Sequence, residues 1–181
     1  MEIQKTILEG CYILIPKIYE DNRGYFFESF HHRKLNELLK SNIQFVQDNQ
    51  AMSNYGTIRG LHFQKPPYQQ AKLVSVIHGS VLDVVVDLRE ESPSYLKFIS
   101  VLLSGNNKKQ LFVPKGFAHG YAVLEDNSIF HYKCDEYYHL EVESGIHPFD
   151  PTLNIDWQIP ESKRILSDKD LKLPFLNISK K

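Results

Sequence analysis

Gly79-Ser80-Val81-Leu82-Asp83-Val84-Val85-Val86-Asp87-Leu88 decides the fold class. Its run of β-branched valines fits an extended chain, and Gly79-Ser80 ahead of it reads as a hairpin-type turn. Working outward, Lys97 to Leu103 is a further strand, ended by Ser104-Gly105-Asn106-Asn107, whose glycine and asparagines tolerate positive φ. Gln110 to Val113, Ala118 to Leu124 and Ile129 to Tyr138 follow, the last two separated by Asp126-Asn127-Ser128. Many short strands with closely spaced turns predict a mainly β chain, an antiparallel barrel or jelly roll. Only two short helices are expected. Arg33 to Lys40 sets Leu35, Leu38 and Leu39 on one face, and Ser167 caps a turn at Asp168-Lys169-Asp170 that stops by Pro174.

The remaining composition excludes several classes. At 181 residues the chain has the size of one domain spanning 1–181, without repeats or linkers. Hydrophobic residues at 42% and aromatics at 12% supply a core. Lys and Arg total 21 against 22 Asp and Glu, a net charge of -1. Nucleic acid is not an expected partner, because phosphate binding needs clustered cations, and Lys108-Lys109 and Lys180-Lys181 are too short. Apolar stretches are strand-length, so no membrane span is expected. The N-terminus lacks the shape of a signal peptide, and Cys11 and Cys134 have no paired spacing. The expectation is a cytoplasmic protein with reduced thiols.

Chemistry enters at Ile58-Arg59-Gly60-Leu61-His62-Phe63-Gln64 and Gln70-Ala71-Lys72-Leu73-Val74, two extended runs joined by the bend Lys65-Pro66-Pro67. A histidine takes a proton near neutral pH, and a nearby lysine stabilises the anion left behind. That pairing suits proton abstraction beside a carbonyl. Alternation puts Phe130, Tyr132 and Cys134 on one face, His131 and Lys133 on the other, so Tyr132 points inward. Lys72, in phase with Val74 and Val76, also points inward, where an ammonium needs a polar partner or ligand. A metal-binding jelly roll of the cupin type offers His-x-His and then Glu. Here His62-Phe63-Gln64 lacks the second ligand, and His62 and His119 alone make an incomplete shell, so no metal is expected. Arg23 and Glu28 fit a surface hairpin ion pair, or a phosphate grip shared with Arg59. Gln47-Asp48-Asn49 reads as a plain loop, or as amides for sugar hydroxyls.

Taken in order, Asp21-x-Arg23-Gly24-x-Phe26-x-Glu28, Gln47-Asp48-Asn49, Arg59-Gly60-Leu61-His62-x-Gln64, Gln70-x-Lys72-Leu73-Val74, Pro114-x-Gly116-Phe117-Ala118-His119-Gly120, Tyr132-Lys133, Glu143-x-Gly145-Ile146, Asp150-Pro151, Ile155-x-Trp157 and Leu166-Ser167-x-Lys169-Asp170 resemble the dTDP-4-dehydrorhamnose 3,5-epimerase family. The set runs from about Asp21 to Asp170, and its order is far more specific than any single piece. The resemblance implies a cupin-like antiparallel jelly roll that works as a homodimer without metal or other cofactor. It implies a nucleotide-linked 4-keto-6-deoxy sugar as substrate and inversion at C3 and C5, although related enzymes with much the same residues invert only one carbon or take a sugar carried by another nucleotide. His62 is then the base, Asp170 its partner, Lys72 the stabiliser of the C4 oxygen, and Tyr132 the acid on the opposite face.

Binding contacts carried over by the same motifs are Arg23, Phe26, Glu28, Gln47, Asn49, Arg59, His119, Glu143 and Lys169. Tyr138 would stack on the base, with Tyr137 a competitor. In such dimers the N-terminal segment of one chain helps build the other's site, which accounts for Arg23 and Glu28. Two departures stand out. Ser75 sits where the family commonly has arginine, and Ile146-His147-Pro148-Phe149 replaces a Trp-containing segment. Both bear on substrate detail rather than on reaction type.

Overall fold

The computed structural model describes residues 1–177; the Lys180-Lys181 pair lies outside them. The first strands are β1 (Glu2–Lys5), β2 (Tyr12–Ile15), β3 (Tyr19–Asp21), β4 (Gly24–Phe26), β5 (Gln47–Ser53), β6 (Ile58–Gln64) and β7 (Lys72–His78). After them come β8 (Ser80–Asp87), β9 (Phe98–Ser104), β10 (Gln110–Val113), β11 (Phe117–Val123), β12 (Ser128–Cys134) and β13 (Glu143–Gly145). Helix α1 (His32–Leu39) precedes β5, and α2 (Asp168–Leu171) lies near the C-terminus. As expected, Leu35 anchors α1 and the Ser167 hydroxyl accepts the Asp170 N–H at the start of α2.

Two antiparallel sheets face each other, ordered β1-β2-β10-β7-β12-β5 and β13-β6-β11-β8-β9, with β3-β4 as a separate hairpin. From β5 to β13 each strand enters the opposite sheet from its predecessor, except for the β8-β9 hairpin. That alternation is the jelly roll. It corrects one expectation: Gly79-Ser80 is a corner between sheets, not a hairpin turn. Both edges of β7 are already occupied, by β10 and β12, so β8 has no place beside it. Gly79, at φ +75°, makes the corner, and a Cβ there would collide with the Ser128 hydroxyl.

A second correction concerns β12, which ends at Cys134 rather than Tyr138. Beyond it, side chains replace ladder partners. The Asp135 carboxylate accepts the Ala71 N–H at 2.6 Å, while Gln70 and Gln64 donate to the carbonyls of Glu136 and Tyr137. A third concerns Gln47-Asp48-Asn49, which opens strand β5 instead of forming a loop.

Three apolar clusters hold the layers. Val74, Val76 and Phe130 from one sheet meet Val81, Val85 and Tyr121 from the other inside the barrel. Behind the second sheet, Leu82, Val84 and Val86 are covered by Leu153, Trp157 and Ile159. This double cover explains why β8 reads as a continuous apolar run rather than an alternating one. Each fully buried Leu or Ile there contributes roughly 1.5–3 kcal/mol relative to exposure. Helix α1 covers the back of the first sheet, with Leu35 against Leu14, Leu73 and Phe112.

Candidate active site

One end of the barrel interior is polar, and it opens as two connected lobes of about 370 and 270 Å³. Together they fall within the usual range for a small-molecule site. His62, Lys72 and Tyr132 line both lobes. The outer lobe adds Gln47, Asn49, Tyr138 and Glu143. The inner one adds Arg59, His119, Lys169 and Asp170. Tyr132 and Lys72 come from the first sheet and His62 from the second, so imidazole and phenol stand on opposite walls.

Strand β6 reaches this arrangement through an irregularity. Arg59 and His62 are three apart, and on a regular strand they would face opposite sides. In the pairing with β11, His119 opposes His62 but Tyr121 opposes Arg59, so β6 spends one extra residue in that interval. The bulge turns both side chains to the cavity. Gly60 makes it possible: at φ +104°, a Cβ there would lie 2.7 Å from the His119 carbonyl oxygen.

His62 Nε2 lies 2.5 Å from Asp170 Oδ1. The Ser167 hydroxyl donates to Asp170 Oδ2 at 2.9 Å, so the cap of α2 also steadies the carboxylate. Burial pushes the Asp170 pKa up, but His62, Ser167 and the Gly60 N–H outweigh it and hold the group below the usual range. It is an ionised partner for an imidazole. Lys72 sits with its Nζ 5.9 Å from the centroid of the Tyr132 ring. Burial lowers its pKa, opposed by Cys134, Asp83 and Glu143. Burial raises the pKa of Tyr132 and keeps its phenol protonated.

At the mouth, Glu143 accepts from Tyr138 Oη at 2.6 Å and from Lys169 Nζ at 2.5 Å. Burial works against this carboxylate, yet Lys169 and Tyr138 keep its pKa below normal. The bond to Glu143 in turn pushes the Tyr138 phenol up to about 12. Gln47 holds the Tyr138 N–H at 3.1 Å and Asn49 Oδ1 at 3.1 Å. Tyr138 therefore lines the cavity, whereas Tyr137 is 59% exposed and not among its lining residues. Arg59 donates to the Ser53 hydroxyl at 3.1 Å.

Three expected contacts lie elsewhere in this chain. Arg23 pairs with Asp21 on the β3-β4 hairpin at 2.6 Å, Phe26 is 70% exposed beside it, and Glu28 pairs with Lys34. None of them lines either lobe. One residue was missed by reading the sequence: Asp83, fully buried, whose carboxylate meets His119 Nε2 at 2.9 and 3.1 Å. Its signal was available, since it is an acid in phase with Val81 and Val85 on an apolar strand. His62 and His119 are each engaged by a carboxylate. Among the described residues, no group of three His, Cys, Asp or Glu side chains forms a metal-like cluster.

A family model described as dTDP-4-dehydrorhamnose 3,5-epimerase matches residues 5–177. The chain is 46% identical to the dTDP-4-dehydrorhamnose 3,5-epimerase of Escherichia coli over 173 residues, 96% of this chain and 93% of that protein. Among solved structures, the dTDP-4-dehydrorhamnose 3,5-epimerase of Elizabethkingia anophelis superimposes with a TM-score of 0.93 at 49% identity, covering 97% of this chain and 96% of that one. The dTDP-6-deoxy-D-glucose-3,5-epimerase of Legionella pneumophila, solved with dTDP-4-keto-L-rhamnose, gives 0.93 at 47% identity, covering 98% and 94%.

Proposed function

Because the chain belongs to the dTDP-4-dehydrorhamnose 3,5-epimerase family, we infer that it converts dTDP-4-dehydro-6-deoxy-D-glucose into dTDP-4-dehydro-L-rhamnose. The C3 and C5 protons flank the C4 ketone, so removal of either leaves an enolate. His62 is the base, and the carboxylate of Asp170 orients its ring and balances the imidazolium charge. Lys72 stabilises the oxyanion at C4. Tyr132 delivers a proton to the opposite face of the carbon, and solvent restores both groups before the second centre reacts. Arg59, His119, Glu143 and Lys169 hold the sugar and phosphates with Gln47 and Asn49, while Tyr138 stacks on the base.

The observation that carries this reading is the bonded His62–Asp170 pair on one wall of a cavity whose other wall holds Tyr132 and Lys72. Inversion needs two proton-transfer groups on two faces, since a single base returns the proton where it came from. The test is incubation with the 4-keto sugar nucleotide in deuterated water. Deuterium at both C3 and C5 is expected. Label at one carbon makes the protein a mono-epimerase, and none at all removes the enzyme assignment.

The whole chain, 1–181, acts as one domain in a cytoplasmic homodimer. The free, buried thiols of Cys11 and Cys134 support a reducing compartment. No helix among the described residues is long and apolar enough to cross a membrane. The exposed β3-β4 hairpin supports the dimer, because Arg23 and Phe26 on it and Glu28 just after it line neither lobe of their own chain's cavity and are open to a partner's.

A further inference from the structure

Asp83 is an acid buried in the barrel wall with no place in the reaction as drawn. It lies on β8 in phase with Val81 and Val85, so it faces the interior, as does Lys72 on the opposite sheet. Its carboxylate holds His119 Nε2, and His119 stands directly across the β6-β11 ladder from His62. Two histidine–carboxylate pairs therefore lie side by side on one wall. Among the described residues His119 Nδ1 has no hydrogen-bond partner, and it is not a sealed, unsatisfied atom, so it opens to the inner lobe.

Charge balance sharpens the point. Lys72 is an interior ammonium and needs a negative partner. It faces Asp83 on β8, Glu143 on β13, and Tyr132 and Cys134 on β12, with His62 on β6 lining the same lobe. Glu143 is already engaged by Lys169 and Tyr138, and Asp170 by His62. Burial holds the Cys134 thiol neutral, pushed up to about 11, and Tyr132 is likewise kept protonated. Asp83 in turn faces His119 and Tyr121 on β11, and Cys11. Those last two are neutral by burial, each pushed up to about 12. On balance the Asp83 pKa is raised, because burial drives it up and His119 and Lys72 draw it only partly back. Asp83, shared with His119, is a carboxylate that faces Lys72 from the wall of the opposite sheet.

We propose that Asp83 is a positioning residue of the epimerase reaction. It fixes the His119 ring through Nε2, leaving Nδ1 toward the sugar, and gives Lys72 the buried counter-charge that keeps it an ammonium beside the ketone oxygen. The role rests on the epimerase reading above. Asp83→Asn keeps the volume and a hydrogen-bonding group but removes the charge. Its kcat is expected to fall about a hundred-fold, the scale of losing one oxyanion donor, and its KM to rise as His119 loses its orientation toward the sugar. The alkaline limb of its pH–rate profile should move to lower pH, because Lys72 without an anion loses its proton sooner.

Unchanged kcat, or a loss of kcat with the limb in place, overturns the role. Should the variant fold poorly, ¹⁵N spectra of the ligand-free wild-type protein decide the matter. They are expected to show His119 Nε2 protonated and slowly exchanging, and an Nε2 without a proton overturns the assignment. Wild-type protein that exchanges neither substrate proton overturns the epimerase reading and this role together. Wild-type exchange with Asp83→Asn equally active overturns the role alone.

Discussion

His62 and Tyr132 stand on opposite sheets, and their separate jobs in the proposed reaction can be pulled apart experimentally. Tyr132→Phe removes the acid but leaves the base, so product should fall about 10²–10⁴-fold while His62 still exchanges substrate protons with solvent. Comparing product formation with deuterium entry into recovered substrate checks this; equal losses of both would break the two-face mechanism. His62→Ala should abolish exchange yet bind dTDP nearly as well as wild type, because the proposed role of His62 is proton transfer and the proposed nucleotide contacts are made by other side chains. Lys72 sets the alkaline limit. In the proposed reaction it acts as an ammonium, and burial lowers its pKa, so activity should disappear below the pH at which a free lysine loses its proton. A pH–rate profile whose upper limb matches an unperturbed lysine would remove Lys72 from the oxyanion role.

At the scale of elements, two strands carry the precision of the site, β6 through its bulge and β8 through its acidic positions. Gly60→Ala puts a methyl against the His119 carbonyl at a φ that alanine avoids. The bulge should relax, and Arg59 or His62 should leave the cavity. Lower stability in urea together with lost turnover is the expected pair of results, and full activity would show that the bulge is dispensable. Asp87 ends β8 and binds Arg89, Ser92 and Ser94, pinning the loop to β9. Burial opposes the charge, but those bonds bring its pKa down from 3.8 to about 2. A depressed folded-state pKa adds stability above the unfolded value, and that stability is lost as pH falls toward the folded one. Asp87→Asn should therefore cost about 2 kcal/mol at pH 7, with the difference vanishing near the folded pKa. Urea titrations across that range measure it. The strands from β6 to β12, both helices and the inward phase of Tyr132 and Lys72 were legible because side-chain periodicity and cap chemistry are local. The corner at Gly79, the bulge at Gly60 and the role of Asp135 were not, because each depends on which strand already occupies a neighbouring edge. Asp83 went unread for a related reason. An acid in an apolar strand shows its partner only when His119, 36 residues on, is folded against it.

For the whole molecule, one chain brings the proposed base, acid, oxyanion donor and base-stacking tyrosine to its own cavity, yet carries Arg23 and Phe26 on an exposed hairpin and Glu28 just beyond it. Tyr19, Tyr25 and Phe26 on that hairpin are 55%, 55% and 70% exposed, an apolar patch costly to leave in water. A closed two-fold pair buries such a patch twice and brings each hairpin to the other chain's cavity. Sedimentation should then give a dimer. The stronger test is complementation. Arg23→Ala and His62→Ala proteins should each be impaired as homodimers. In a mixed dimer, the site that combines the His62 of one chain with the Arg23 of the other is fully native, while its sister site carries both lesions. Random reassortment of equal amounts makes half the dimers mixed with one native site each, so about a quarter of wild-type activity should return. Recovery of that size requires the two residues to act across the subunit boundary. If Arg23 served its own chain's cavity, every site in the mixture would carry one lesion, and reassortment would restore nothing.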